Sequence, residues 1–213
     1  LFTVNLRYFQ TEAVCYMDTL RNYGHITPSL YKTQKRKGAD EMGILSGNPK
    51  DEPLHYGEIY SVWTFSTKSK GCKSVYTAYS FHAGDKDLKD ILDDLINQSE
   101  LEIKECDKIL IQHGISPSPS LPERPEAKLS DIPAGARITD VEIAELIAAD
   151  TAASLAVCSQ VTGTAIREDI GALFSKYHAT KTVLGLKILE MSKNKGWLVP
   201  PPLHVKRPEL VEV

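Results

Sequence analysis

The stretch TAIREDIGALFSKYHATKTVLGLKILEMSKNKGWLVPPPLH, residues 164–204, decides the fold. Ile166, Ile170, Leu173, Tyr177, Thr180, Leu184, Ile188 and Met191 recur at steps of three or four, the spacing that turns one helix face to a partner. Arg167, Glu168, Lys176, Lys181, Lys187 and Lys193 occupy most of the other turns. The stop is equally readable. Lys193, Asn194 and Lys195 put positive charge in the last turn, and Gly196 can take the left-handed cap conformation. Trp197 and Leu198 supply the apolar contact of such a cap, and Pro200, Pro201 and Pro202 forbid further helix. A helix of about 30 residues is roughly 45 Å long. One apolar stripe of that length requires a bundle.

The rest of the chain supplies the partners. A first helix is predicted over 55–82, closed by Gly84, with Val62, Trp63, Phe65, Val75, Tyr76 and Tyr79 among its apolar positions. Its middle carries Ser66, Thr67, Ser69 and Gly71. A mid-helix glycine costs about 1 kcal/mol against alanine, so a close helix contact is expected there. The second helix, 85–113, starts on the N-cap residue Asp85 and ends at Gly114. The short link makes these two an antiparallel hairpin. Residues 115–137, ISPSPSLPERPEAKLSDIPAGAR, contain five prolines and exclude a helix. At ~3.1 Å per residue the segment reaches roughly 70 Å, more than the ~43 Å of the second helix. An ordered crossover along the bundle is expected in preference to a flexible linker. The third helix, 140–162, opens on the capping box Thr139 and Glu142, with Ile138 and Ile143 as its hydrophobic staple, and is rich in alanine. Gly163 is expected to break it into the fourth helix, 165–195. Two antiparallel helical hairpins joined by a long Pro-rich crossover make an all-α, ferritin-like four-helix bundle.

Composition narrows the function classes. The chain has 213 residues, 25% charged, with a net charge of −3. That balance, with a pI near 6.1, offers no electrostatic footprint for nucleic acid or an anionic membrane. No apolar run is long enough to span a bilayer. Cys15, Cys72, Cys106 and Cys158 are widely spaced, with no Cys-x-x-Cys pair, and read as reduced thiols in a cytoplasmic protein. Residues 1–41 lack either period and end in a basic run before Met42. Lys37-Gly38-Ala39 can be encoded with a purine-rich ribosome-binding sequence shortly before the Met42 codon. Residues 1–41 are therefore expected to be translated leader, the alternative being a real N-terminal extension. Residues 42–206 form the bundle domain and 207–213 a tail.

The blocks HAGDKDLKDIL, LPERPEA, IPAGARITDVEIA, IREDIGALFSKYHATK and KGWLVPPPLH together resemble the domain of unknown function 3231 family of spore-forming bacilli. The resemblance covers Met42 to Lys206. It implies a ferritin-like all-α bundle, of which longer members carry two and this chain one. Some members carry a spore-coat name, so the resemblance implies spore association and other coat-type proteins as partners. It implies no activity and no catalytic residues.

Ferritin-like topology raises the question of a carboxylate metal site, which needs a glutamate from each of two helices and a Glu-x-x-His pair from each of the other two. The one such pair, Glu52 to His55, contains a proline and lies at the mouth of the first helix. His82 and His113 sit at helix C-termini, where histidine is a favourable cap, and His204 follows the prolines. No nucleophile elbow, Cys–His signature or phosphate loop is present. The basic run Lys32 to Lys37 lacks interleaved aromatics and reads as a solvated stretch. The sequence assigns no catalytic, cofactor or metal residue. The favoured function is a non-enzymatic structural or interaction protein, and the alternative a degenerate ferritin-like protein holding a metal or small ligand at mid-bundle. Aromatic and small residues on the first and third helices leave a face for a homodimer partner. A polar layer is the specific expectation, and the alternative is that its residues turn to the bundle surface and face water. Counted at 1.5 Å per residue, Ser69, Glu102, Asp150 and His178 fall roughly 17–21 Å from one bundle end. Tyr76 or Lys70 would stand near them.

Overall fold

The computed structural model describes residues 53–202 and residue 204. The expectations for residues 1–41, Glu52 and the tail 207–213 lie outside the described residues. Four α-helices occupy the described chain: α1 Tyr56–His82, α2 Lys86–Gln112, α3 Asp140–Thr164 and α4 Glu168–Asn194. α1 packs on α2 and α3 on α4, while α2 lies beside α4 and α1 beside α3. The bundle of two hairpins joined by one long crossover is the connection order expected from the sequence.

The ends of the helices follow from local chemistry. Asp85 accepts from the Leu88 amide, and Thr139 and Glu142 form their capping box. α1 begins on a cap the sequence did not announce. His55 Nδ1 accepts from the amides of Gly57 at 2.9 Å and Glu58 at 3.4 Å, and Glu58 returns to the His55 amide at 3.2 Å. Histidine stands outside the favoured cap residues, which is why no start signal was visible there. α2 and α4 end alike. Gly114 and Gly196 take φ of 73° and 69°, and Ile115 and Trp197 donate to the carbonyls of Leu110 and Ser192 at 2.9 and 2.8 Å. Both are Schellman caps.

These matching ends belong to a repeat of backbone geometry that the residue types conceal. Positions 83, 86, 113 and 114 of the first hairpin correspond to 165, 168, 195 and 196 of the second, each pair 82 apart. The turns are locked reciprocally. Glu58, buried in the first turn of α1, accepts from the amides of Ile166 and Arg167 at 2.8 Å each, in the α3–α4 turn. Asp140, in the first turn of α3, accepts from Gly84 at 2.8 Å and Asp85 at 3.1 Å, in the α1–α2 turn. Each hairpin thus caps the other, satisfying amides that a helix start leaves without partners.

The crossover lies along α1 in register. Trp63 Nε1 donates to the Ser116 carbonyl at 3.2 Å, and Thr67 to Ser118 Oγ at 2.9 Å. Lys70 Nζ donates to the Ser118 carbonyl at 2.6 Å, and Arg124 Nε to the Ser74 carbonyl at 3.1 Å. The Ile138 amide donates to His82 Nδ1 at 3.1 Å, fixing the far end. Short 3-10 turns at Leu129–Asp131 and Ala134–Ala136 carry the chain into α3.

Three expectations are corrected. Gly163 does not break the chain, since α3 continues through it to Thr164 and the turn falls at Ala165–Arg167. Gly71 faces nothing a methyl group would meet within 4 Å, so close helix contact is not its reason. On α4 the buried face runs through Ile170, Phe174, Tyr177, Lys181, Leu184 and Ile188. Ile166 precedes the helix and is exposed, and Leu173 and Thr180 are only half-buried. Arg167 and Lys181, placed by the sequence among the outward polar turns, are buried.

Candidate functional site: a polar layer between two apolar clusters

The core is divided. One apolar cluster joins Tyr76 and Ala83 with Leu88, Leu92, Leu95, Ile143, Ile147, Leu184 and Ile188. The other joins Val62 and Phe65 with Cys106, Leu110, Cys158, Ile170, Phe174 and Tyr177. Between them, on every helix, the inward positions are polar. α1 supplies Ser66, Ser69 and Lys70, α2 supplies Gln98, Ser99 and Glu102, α3 supplies Thr151 and Ser154, and α4 supplies Lys181.

Glu102 is the centre, 1% exposed. Its Oε1 accepts from Lys181 Nζ at 2.9 Å and Gln98 Nε2 at 3.0 Å, and its Oε2 accepts from Ser69 Oγ at 2.9 Å. The ammonium of Lys181 also lies 5.8 Å from the centroid of the Phe65 ring. That ring stacks on Tyr177 and meets Phe174 edge-on, at centroid distances of 5.5 and 4.9 Å. A buried carboxylate is costly unless its charge and lone pairs are matched. Here one ammonium matches the charge, and three donors fill most of the acceptor sites.

Of the four residues expected in one layer, the structure brings Ser69 and Glu102 together and separates the other two. Asp150 lies on the flank of α3 that faces α1. It accepts from the Tyr76 hydroxyl, from Lys68 Nζ at 3.1 Å and from Cys72 Sγ at 3.5 Å. The reason is angular. The inward stripe of α3 runs Ile147, Thr151, Ser154, Cys158, and Asp150 is one residue, about 100°, off it. His178 is three residues before Lys181 and half-exposed on the flank of α4, so the cation beside Glu102 is lysine and no carboxylate–imidazole cluster forms. Lys70 serves a third network, with Asp107 at 2.8 Å and Ser66 donating to the same carboxylate at 2.5 Å. Serines and a threonine in phase with apolar stripes were the available signal for this layer. Gln98 and Lys181 carried none, because long polar side chains usually lie on the solvent side.

Burial moves the core thiols and the Tyr76 hydroxyl further from neutral pH. Burial, then the Asp150 charge, pushes the Cys72 thiol up to about 11. Burial pushes Cys106 up to about 12 and Cys158 up to about 11. Burial and the bond to Asp150 raise the Tyr76 hydroxyl well above its usual range. Burial would raise Asp150, but donation from Tyr76 and the Lys68 charge outweigh it, and its carboxyl is lowered. A general base poised near pH 7 or a thiolate nucleophile needs the opposite shifts. Among the described residues, no group of three or more His, Cys, Asp or Glu side chains is arranged to hold a metal ion. His55 is committed to its cap and His204 is exposed. His113 bonds the Ile109 carbonyl at 2.8 Å and Arg167 at 2.7 Å.

A groove of about 620 Å³ lies beside Lys70 between α1, α2 and the crossover, with Phe81, Ile103 and Leu121 in its wall. The Lys73–Glu100 ion pair, 2.8 Å, is formed by two residues of its lining. No helix of the described chain is long and apolar enough to cross a membrane.

Comparison with known proteins agrees with this architecture. The chain is 45% identical over 166 residues to the uncharacterized protein YvdQ of Bacillus subtilis (strain 168), covering 78% of this chain and 98% of that one. It matches the crystal structure of a "putative spore coat protein" from Bacillus halodurans C-125 with a TM-score of 0.73 and 45% identity, over 75% of this chain and 100% of that one. The family model described as a protein of unknown function, DUF3231, matches residues 42–210, and the chain belongs to that family.

Proposed function

We propose that this protein is a non-enzymatic structural or interaction component that takes part in coat-type assembly around the spore, made in the cytoplasm and carried to its place by protein contacts. The observation that carries the reading is the pairing at mid-bundle. Where di-metal carboxylate bundles bring four glutamates and two histidines to their cations, this chain sets one glutamate against its own lysine, 2.9 Å away. The layer then works as a register lock. Sliding one helix past another would strand Glu102 or Lys181 without its partner, so the two charges favour one alignment of the four helices. The spore-coat name borne by the Bacillus halodurans relative supports the setting.

The test is to follow the native protein through sporulation. Immunoblots of washed spores, of coat extracts and of the cytosol are expected to find it enriched in the spore fractions. Protein confined to the cytosol of vegetative cells would overturn the assignment. Metal analysis of the same purified protein checks the ferritin-like ligand-binding reading, which one equivalent of iron, manganese or zinc per chain would restore.

A further inference from the structure

The repeat of the two hairpins exposes an inequality between them. On α1, Trp63, Thr67, Lys70 and Ser74 hold the crossover. Their counterparts 82 residues on are Glu145, Ala149, Ala152 and Ala156 of α3. All four are exposed, and no crossover lies on them. Beside them on α4 stand Ala179, Leu186 at 60% exposure and Leu189 at 38%. Beyond its first turn α3 carries only two charges, Glu145 and Asp150, and Asp150 is turned to α1. A helix whose outer face is mostly alanine is poorly matched to water and is suited to a further packing partner. Among the described residues, the same place in the fold is thus covered on one hairpin and bare on the other.

From this we infer that the outer face of the α3–α4 hairpin is a self-association surface whose occupant is a second copy of this chain. Three features select that occupant. The first is the loss of polar anchors. A proline-rich strand like the crossover needs side-chain donors and acceptors for its carbonyls, and three alanines offer none, whereas small side chains admit the close approach of another helix. The second is self-complementarity. A twofold axis over the hairpin lets the alanine row of one copy receive Leu186 and Leu189 of the other, and the reverse contact follows by symmetry. The third is size. Two helices ~37 Å long with axes ~9 Å apart present a face of roughly 700 Å². A standard interface buries about 800 Å² per partner. Its charges, Glu142 and Glu145 on α3 and Lys193 on α4, are few and of mixed sign, so it has no strong electrostatic code for an acidic or basic partner.

The inference deepens the structural role proposed above, and its test is independent of spore fractionation: a monomer would remove the interface, and a cytosolic location would remove the role. The full chain is run in sedimentation velocity from about 1 to 100 μM, with Ala152→Glu and Leu186→Lys as interface variants and Lys104→Glu on α2 as control. The wild type and the control are expected to dimerise. Each interface variant is expected to weaken the dimer at least about tenfold, since each places an unmatched charge at the centre of the contact. Ala152 and Leu186 point outward, so far-UV circular dichroism and melting temperature should stay close to wild type, which separates lost association from lost folding. A wild-type monomer at 100 μM overturns the proposal, as does a dimer that both variants leave intact. Hydrogen exchange covers the competing occupant. Protection of α3 amides in a monomer that disappears when residues 203–213 are removed would assign the face to the chain's own C-terminal segment instead.

Discussion

Replacing Glu102 with glutamine tests whether the mid-bundle ion pair is a lock or a replaceable contact. The substitution keeps the shape, the bond from Ser69 and one acceptor, but leaves the Lys181 ammonium, 8% exposed, without its counter-charge. Breaking one side of a buried pair costs about 3–5 kcal/mol. The Phe65 ring, 5.8 Å from the ammonium, is the same in both forms and does not change the difference. At roughly 2–4 °C per kcal/mol for a domain of this size, a loss of about 3–5 kcal/mol should lower the melting temperature by about 6–20 °C. Lys181→Met should cost a similar amount, by stranding the carboxylate. The double variant Glu102→Leu with Lys181→Met removes both charges together and should lie within about 1 kcal/mol of wild type, or above it. The Ser69 hydroxyl can then turn to the carbonyl four residues back, as helix serines do. Urea unfolding followed by circular dichroism and by Trp63 and Trp197 fluorescence gives the four corners of the cycle and checks two-state behaviour. A Glu102→Gln loss below about 1 kcal/mol would refute the reasoning, and so would a double variant as unstable as the two single losses added.

Other outcomes follow from the same structure. Gly71→Ala should stabilise by about 0.4–1 kcal/mol, because the added methyl meets nothing and the unfolded chain loses freedom; a lower urea midpoint would contradict this. Asp150 has its folded-state carboxyl lowered, so its stabilisation is present above the ordinary aspartate range, near 3.9, and is lost as pH falls through the folded value. Between pH 6 and pH 3, Asp150→Asn should therefore lose less stability than wild type, and parallel pH curves would remove that assignment. Peptide mapping after alkylation at pH 7.5 should find Cys72, Cys106 and Cys158 labelled only slowly until the protein unfolds, since burial raises all three thiols. Rapid labelling of Cys106 in the folded protein would speak against its burial.

What the sequence determined by itself was whatever is decided within a turn or two of chain. Asp85, Thr139 with Glu142, Gly114, Gly196 and the proline runs set the helix ends through backbone amides and carbonyls a few residues away. The period of the apolar residues then fixed four helices, and the lengths of the links fixed the order of their connection. Ser69 and Glu102 were legible from their matching heights along the bundle. What only the tertiary structure decided was direction around each helix axis. Asp150 and His178 stand at nearly the right height, but a turn of about 100° per residue carries one to the α1 flank and leaves the other half-exposed, while Lys181 takes the inward place. The long-range locks were equally hidden. Glu58 reaches amides 108 and 109 residues away and Asp140 reaches back 55 and 56. The matching of the two hairpins stayed out of sight for the same physical reason, since backbone turns and helix caps can coincide while the side chains on them differ, as Lys70 and Ala152 do.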